Sequence, residues 1–134
     1  MVRTVGLTHI ALAVADLERA FRFYEHVFGA VAVYWGDDFI QAQTPGARDA
    51  IVFERKLIRP ASNGGIAHFG FRLQHPADIE NAIASVQESG GTILSQGEFS
   101  PGEPYVYFRD PDGYEVEIWY EPPTPIDLLS GPFA

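Results

Sequence analysis

Two histidines and one glutamate are the residues of this sequence whose types and spacing are best suited to chemistry. His9 and His68 each stand two positions before a residue with little or no side chain, Ala11 and Gly70. Because strand residues two apart share a face, each histidine is predicted to lie beside open space. Glu117 stands between two apolar residues late in the chain, where an unpaired carboxylate is costly to bury. Two neutral imidazoles and one carboxylate form a ligand set that suits non-haem Fe(II) and leaves coordination positions open.

A structural reading of the same residues stays open at this point. Each histidine taken alone is typical of a hydrogen-bonded core residue, and Glu117 taken alone is typical of a solvated strand face. The matched positions of the two histidines in a repeat favour the metal interpretation.

The elements that must position these residues form an internal repeat of strand, helix and three strands. Asp16 and Gly29 are predicted to begin and end the first helix, and Pro76 and the Gly90-Gly91 pair the second. The predicted strands lie at 6–14, 30–35, 38–43 and 50–55 in the first copy and at 66–73, 92–95, 104–109 and 114–120 in the second. This arrangement places each histidine in the middle of the first strand of its copy.

The domain prediction is a single domain over 1–134, made of repeats at about 5–58 and 66–121 and a Pro-rich tail at 122–134. The residues at 59–65 have the composition of a connector. Each repeat of roughly 60 residues is at the edge of independent stability, so the halves must complete each other or a partner chain. Apolar residues persist into the tail (Ile126, Leu128, Leu129, Phe133). We therefore expect a homodimer, with all metal ligands supplied by one chain or shared between two.

Charge and composition exclude several classes of function. The chain has 18 acidic and 9 basic residues and a net charge of −9, which disfavours binding to nucleic acid or to an anionic membrane. It has no cysteine, which excludes disulfide frameworks and thiol chemistry. Neither a transmembrane segment nor a secretory leader is expected, and the expected location is the cytoplasm.

The sequence resembles the vicinal oxygen chelate superfamily, which includes glyoxalases, extradiol dioxygenases, fosfomycin-resistance proteins and bleomycin-binding proteins. The resemblance covers 5–121 and is most specific at LTHIAL (7–12), AHFGF (67–71) and VYFRDPDG (106–113) followed by Glu117. It implies an α+β fold of paired βαβββ modules whose mixed sheet curls around a metal cavity, usually in a dimer. It also places His9, His68 and Glu117 on metal-ligand positions. The expected cofactor is one divalent ion per chain, with Fe(II) favoured and Mn(II), Zn(II) or Ni(II) as alternatives.

The resemblance also implies roles for residues around the metal. Tyr107 matches the tyrosine of the extradiol signature, whose phenol contacts the metal-bound substrate, although the fosfomycin-resistance proteins are similar there. Tyr107 is therefore the candidate catalytic residue, and Arg72, Tyr105 and Trp119 are candidates for the substrate pocket. Ile51 falls where glyoxalases have a fourth protein ligand.

The expected function is a metal-dependent, dioxygenase-like enzyme whose small substrate has two adjacent oxygens. The alternatives are a glyoxalase-like isomerase or lyase and a metal-free drug-binding protein. The chain lacks the histidine that ring-cleaving enzymes have near 98–100, and this departure keeps the isomerase alternative open. A resistance transferase acting on a phosphonate is disfavoured because Lys56 is the only lysine and no basic residue follows Arg109.

Overall fold

The fold consists of two copies of one βαβββ arrangement. The structure, a computed structural model, describes residues 1, 3, 7–56 and 66–127. The first copy contains β1 (Ile10–Val14), α1 (Leu17–Phe28), β2 (Val31–Trp35), β3 (Phe39–Gln43) and β4 (Ile51–Arg55). The second contains β5 (Phe69–Arg72), a 3₁₀ turn (Pro76–Asp78), α2 (Ile79–Glu88), β6 (Thr92–Glu98), β7 (Pro104–Arg109) and β8 (Glu115–Trp119). The predicted α+β class and paired modules are confirmed.

Each module forms its own four-stranded mixed sheet. The strand orders are β1-β4-β3-β2 in the first sheet and β5-β8-β7-β6 in the second. The first strand of each module lies at a sheet edge and pairs in parallel with the last strand. Among the described residues the two sheets share no strand pairing, so β1 and β5 each present an open edge.

Local sequence signals account for the bounds of α1. The Asp16 carboxylate accepts a hydrogen bond from the Arg19 backbone N–H at 3.0 Å, which caps the first turn. Gly29 ends the helix at φ 69°, a left-handed conformation that glycine adopts without strain. The buried face of α1 packs onto the sheets, as the spacing of its apolar residues predicts.

The hydrophobic core is continuous across the two modules. Phe28 of α1 stacks on Phe71 of β5 with ring centroids 3.8 Å apart, and Phe23 of α1 lies against Phe108 of β7. Helix α1 of one module therefore packs directly on the sheet of the other, which fixes how the two modules sit together within the chain.

Some predictions fall outside the described residues. These are the connector at 59–65 and the tail residues Leu128, Leu129 and Phe133. Within the described part of the chain, no helix is long and apolar enough to span a membrane.

Candidate functional site

The two histidines lie just before the first strand of each module. His9 precedes β1 and His68 precedes β5, so the prediction that they lie in mid-strand is wrong by about two residues. The reason is that strand pairing begins later than apolar character does, at Ile10 opposite Ile51 and at Phe69 opposite Val116. Ala11 and Gly70 are exposed as expected.

Strand β8 brings Glu117 into register with residues of both neighbouring strands. Glu117 lies opposite Gly70 on β5 and opposite Tyr107 on β7. A Cβ at position 70 would lie 3.1 Å from the Glu117 carbonyl oxygen and 3.3 Å from the Glu117 Cβ, closer than ordinary van der Waals contact. The missing side chain of Gly70 therefore lets β5 approach β8 closely beside Glu117.

His68, Tyr107 and Glu117 form a compact cluster on the face of the second sheet that points away from the hydrophobic core. His68 Nε2 lies 4.0 Å from Glu117 Oε2, and the His68 and Tyr107 rings meet edge to face at 5.1 Å. The hydrogen bond to Glu117, with burial as the second cause, raises the pKa of Tyr107 to about 12. The Tyr107 hydroxyl is therefore protonated at neutral pH and donates to the Glu117 carboxylate.

Two of the side chains in this cluster, His68 and Glu117, are of the types that bind divalent metal ions. Glu117 is only 9% exposed, and the groups that face its carboxylate are the Tyr107 hydroxyl and the His68 imidazole. Neither carries a formal positive charge unless His68 is protonated. The Arg72 guanidinium in the same cleft pairs with Glu121 and Asp127. The burial of the Glu117 carboxylate is therefore weakly compensated within the described part of the chain. Nitrogen and oxygen donors held at roughly 2.0–2.2 Å in a tetrahedral or octahedral site lie about 3.0–3.5 Å apart. His68 and Glu117 thus provide two ligands of suitable type, and their donor atoms, 4.0 Å apart, would have to move closer together to share one ion.

His9 does not join this cluster within one chain. It is exposed at the edge of the first sheet, where its Nδ1 lies 2.6 Å from the Thr8 hydroxyl oxygen. Among the described residues, no group of three His, Cys, Asp or Glu side chains lies close enough together to hold a metal ion. One chain therefore brings together two of the three predicted ligands.

The predicted pocket residues Arg72 and Trp119 lie beside Glu117. They line a cleft of about 210 Å³ together with Gly70, Phe71, Glu117 and Glu121. Tyr105 lies opposite Trp119 in the strand register and contacts Tyr107 edge to face at 5.6 Å. Trp119 Nε1 is buried and has no hydrogen-bond acceptor in the described part of the chain.

Three further residues at this cleft are not identified by the sequence reasoning. Phe99, on the turn after β6, stacks on Tyr105 at 4.1 Å and meets Trp119 edge to face at 5.4 Å. Glu121, just after β8, and Asp127 of the tail form ion pairs with Arg72. Local pattern gives no signal for these contacts, because each depends on how a turn or the tail folds back over the sheet.

The position that matches the fourth protein ligand of glyoxalases lies one residue later than the sequence comparison predicts. The register pairs Ala11 with Val52 as it pairs Gly70 with Glu117, so Val52, rather than Ile51, occupies the position equivalent to Glu117. Ile51 packs against the core instead. Neither the valine nor the isoleucine side chain has an atom that can bind a metal, so this position supplies no ligand.

The Asp-Pro-Asp-Gly turn fastens β7 and β8 to the first module. Asp110 accepts hydrogen bonds from the Tyr24 hydroxyl at 2.8 Å and from the backbone N–H groups of Asp112 and Tyr114. Asp112, whose side chain is 1% exposed, pairs with Arg19 at 2.8 Å. The turn that orients Glu117 is therefore held by α1.

Comparisons with known proteins support a family assignment. The family model of the glyoxalase/bleomycin resistance protein/dioxygenase superfamily matches residues 6–118. The metallothiol transferase FosB of Shouchella clausii is 24% identical over 115 residues, which cover 84% of this chain and 78% of FosB. The manganese-dependent 2,3-dihydroxybiphenyl 1,2-dioxygenase of Geobacillus genomosp. 3 is 25% identical over 119 residues, which are 87% of this chain and 37% of that protein.

A solved structure gives the same fold. The crystal structure of the fosfomycin resistance protein FosX from Mesorhizobium loti matches with a TM-score of 0.72 and 24% identity, over 90% of this chain and 95% of that one. Because the family model spans most of the sequence and the paired modules match that fold, the chain belongs to the glyoxalase/bleomycin resistance protein/dioxygenase superfamily.

Proposed function

We propose that this protein is a metal-dependent, dioxygenase-like enzyme that acts on a small substrate with two adjacent oxygens. The observation that carries the proposal is the proximity of the His68 imidazole to the buried Glu117 carboxylate, at 4.0 Å. The family supports it, since relatives of this chain are named as transferases and dioxygenases, one of them manganese-dependent.

The third ligand in this proposal is His9 of a second protomer. His9 and His68 stand just before β1 and β5, which are two of the four edge strands in the described part of the chain. Unpaired edges are the part of a sheet most ready to pair with another chain. Apposing β1 of one protomer with β5 of its partner would bring the two histidines to one cavity and complete the ligand set in a homodimer.

Tyr107 is the proposed catalytic residue. Fe(II) held by His68, Glu117 and His9 of the second protomer would supply Lewis acidity and the ability to activate O₂. The Tyr107 hydroxyl donates to Glu117 and lies on the cleft side of β7. It can hold or pass a proton at a substrate oxygen bound beside Glu117.

Two alternatives remain distinct from this proposal. An isomerase or lyase would use the same ligands as a Lewis-acid site without consuming oxygen. A metal-free binding protein is favoured by one observation, namely that three ligands do not meet among the described residues of one chain.

The deciding experiment begins with metal analysis of protein purified anaerobically without chelator. The proposal expects about one divalent ion per chain, lost in His9→Ala, His68→Ala and Glu117→Ala but retained in His75→Ala, which changes an exposed histidine away from the site. The Fe(II)-loaded protein is then assayed for oxygen uptake with catechols and for conversion of 2-oxoaldehydes. Oxygen uptake supports the dioxygenase, aldehyde conversion alone supports the isomerase, and absence of metal supports the binding protein.

A further inference from the structure

A group of four aromatic side chains adjoins the cleft beside Glu117, and one of them, Trp119, lines it. Its members are Phe99, Tyr105, Tyr107 and Trp119, which touch one another through ring contacts between 4.1 and 5.6 Å. Tyr105 and Tyr107 alternate along β7, so both project from the face that carries Glu117. Phe99 is 50% exposed, so part of this group is open to a ligand. Aromatic groups of this kind bind planar rings through stacked and edge-to-face contacts.

The cation nearest to the cleft is engaged by the tail. Arg72 Nη2 donates to Asp127 at 2.9 Å and Nε donates to the Glu121 carbonyl oxygen at 3.1 Å. The Glu121 carboxylate lies 4.0 Å from the same guanidinium. Asp127 is itself fixed by the backbone N–H of Thr124 at 2.7 Å. A ligand anion would therefore have to compete with two carboxylates for Arg72.

The charge of this face also disfavours an anion. This face carries four carboxylates, those of Glu115, Glu117, Glu121 and Asp127, and two guanidinium groups, those of Arg72 and Arg109. The face is therefore net negative, and a divalent ion would only bring it to neutrality. A dianionic group on a ligand would find no net positive charge on this face, and desolvating that group in the cleft would be unfavourable.

We propose that the cleft takes a small, uncharged aromatic ligand and disfavours anionic ones, and that Asp127 sets this preference by holding Arg72. The proposal rests on the proposed function, because the ligand would lie beside the same His68 and Glu117. Asp127 acts here as a specificity-determining residue that need not touch the ligand.

The test compares two ligands of the same shape, benzamide and benzoate, which differ in charge. The full-length protein carries Trp35→Phe, so that Trp119 is the remaining tryptophan and its fluorescence reports binding. We expect benzamide to bind roughly tenfold tighter than benzoate, the ratio produced by about 1.4 kcal/mol. In Asp127→Asn we expect the ratio to fall to about threefold or less, because Arg72 loses one carboxylate partner.

Two further variants keep the test specific. Asp38→Asn removes a carboxylate that also pairs with an arginine, Arg55 at 3.5 Å, but on the first sheet. It should leave the ratio unchanged. Phe99→Ala should weaken benzamide binding several-fold without unfolding the protein, since Phe99 is half exposed on a turn.

Three results would overturn the inference. Benzoate would bind as tightly as benzamide, Asp127→Asn and Asp38→Asn would have equal effects on the ratio, or Phe99→Ala would leave benzamide binding unchanged. Binding is read by fluorescence and metal content is measured on the same samples. A protein without metal that still prefers benzamide contradicts only the proposed function, whereas a metal-loaded protein without the preference contradicts only this inference.

Discussion

At the residue scale, the site depends on a buried carboxylate whose partners within the chain are few. Glu117 receives a hydrogen bond from Tyr107 and faces His68 at 4.0 Å. A carboxylate in this setting is stabilised by a bound cation. Removal of the Glu117 carboxylate is therefore expected to abolish metal binding. Tyr107 has a separable role, because its hydroxyl donates a hydrogen bond to Glu117 and is not needed to hold a metal.

Tyr107→Phe is expected to lower turnover by about 10²–10⁴-fold, the usual contribution of a positioned proton donor, while metal content stays unchanged. Steady-state assays and metal analysis of the same preparation measure both quantities. Tyr105→Phe is the matched control, since it removes a hydroxyl two residues away on the same face. Equal turnover in Tyr107→Phe and wild type would remove Tyr107 from the mechanism.

Gly70→Ala is expected to weaken metal binding by roughly tenfold to a hundredfold, as loss of outer-shell support does. The added Cβ would meet the Glu117 carbonyl oxygen at 3.1 Å, so β5 and β8 must shift beside the ligand. A chelator competition titration measures the affinity, and circular dichroism verifies the fold. Gly97→Ala is the comparison, because its Cβ would meet only the movable Tyr105 side chain. Wild-type affinity in Gly70→Ala would mean that close strand approach does not matter for the site.

At the element scale, the turn between β7 and β8 connects the site to α1. Burial raises the pKa of Asp110, and its hydrogen bond from the Tyr24 hydroxyl opposes that rise. Tyr24 is itself buried in the core. The orientation of β8, and with it that of Glu117, is thus coupled to the packing of α1.

Tyr24→Phe is expected to reduce the free energy of unfolding by about 1.5–3 kcal/mol at neutral pH, because it removes a hydrogen bond to a charged, buried group. A carboxyl with a raised folded-state pKa contributes most to stability below its unfolded pKa and loses that contribution as pH rises. Without Tyr24 the pKa of Asp110 rises further, so this loss grows. The difference in free energy of unfolding between the variant and the wild type should therefore become smaller as the pH falls from about 7.5 to about 3.5. Urea unfolding at both pH values measures it, with the exposed Tyr34→Phe as control. A gap that is constant or widens towards acid pH would contradict the coupling.

The elements could largely be predicted from sequence, because their signals are local. Asp16 and Gly29 cap α1 as predicted, and the apolar residues of α1 and β8 face the core. The exact start of β1 and the choice between Ile51 and Val52 could not be predicted, since both depend on strand register across a long loop. The contacts of Phe99 and Asp127 depend on chain reversals for which the sequence has no periodic signal.

At the scale of the whole molecule, the chain presents surfaces that suit self-association. Edge strands β1 and β5 are open, and the residues of β2 and β3 expose large apolar side chains at 38–54% of their area (Val31, Val33, Tyr34, Trp35, Phe39). Such clustered exposure is typical of an interface. We expect a dimer at micromolar concentration by light scattering. A monomer would contradict both the dimer and a metal site shared between protomers.

The central claim is that His9 of one protomer and His68 with Glu117 of its partner bind one metal ion. It is tested by mixing His9→Ala and Glu117→Ala chains, each expected to bind no metal alone. In a mixed dimer one site receives both substitutions and the other receives neither. Random mixing makes half of the dimers mixed, so co-refolding equal amounts should restore about a quarter of wild-type metal binding. Metal content of the mixture, with dimer exchange verified by mass, is the measurement. Recovery near a quarter is the predicted result, and no recovery in verified mixed dimers would contradict a shared site.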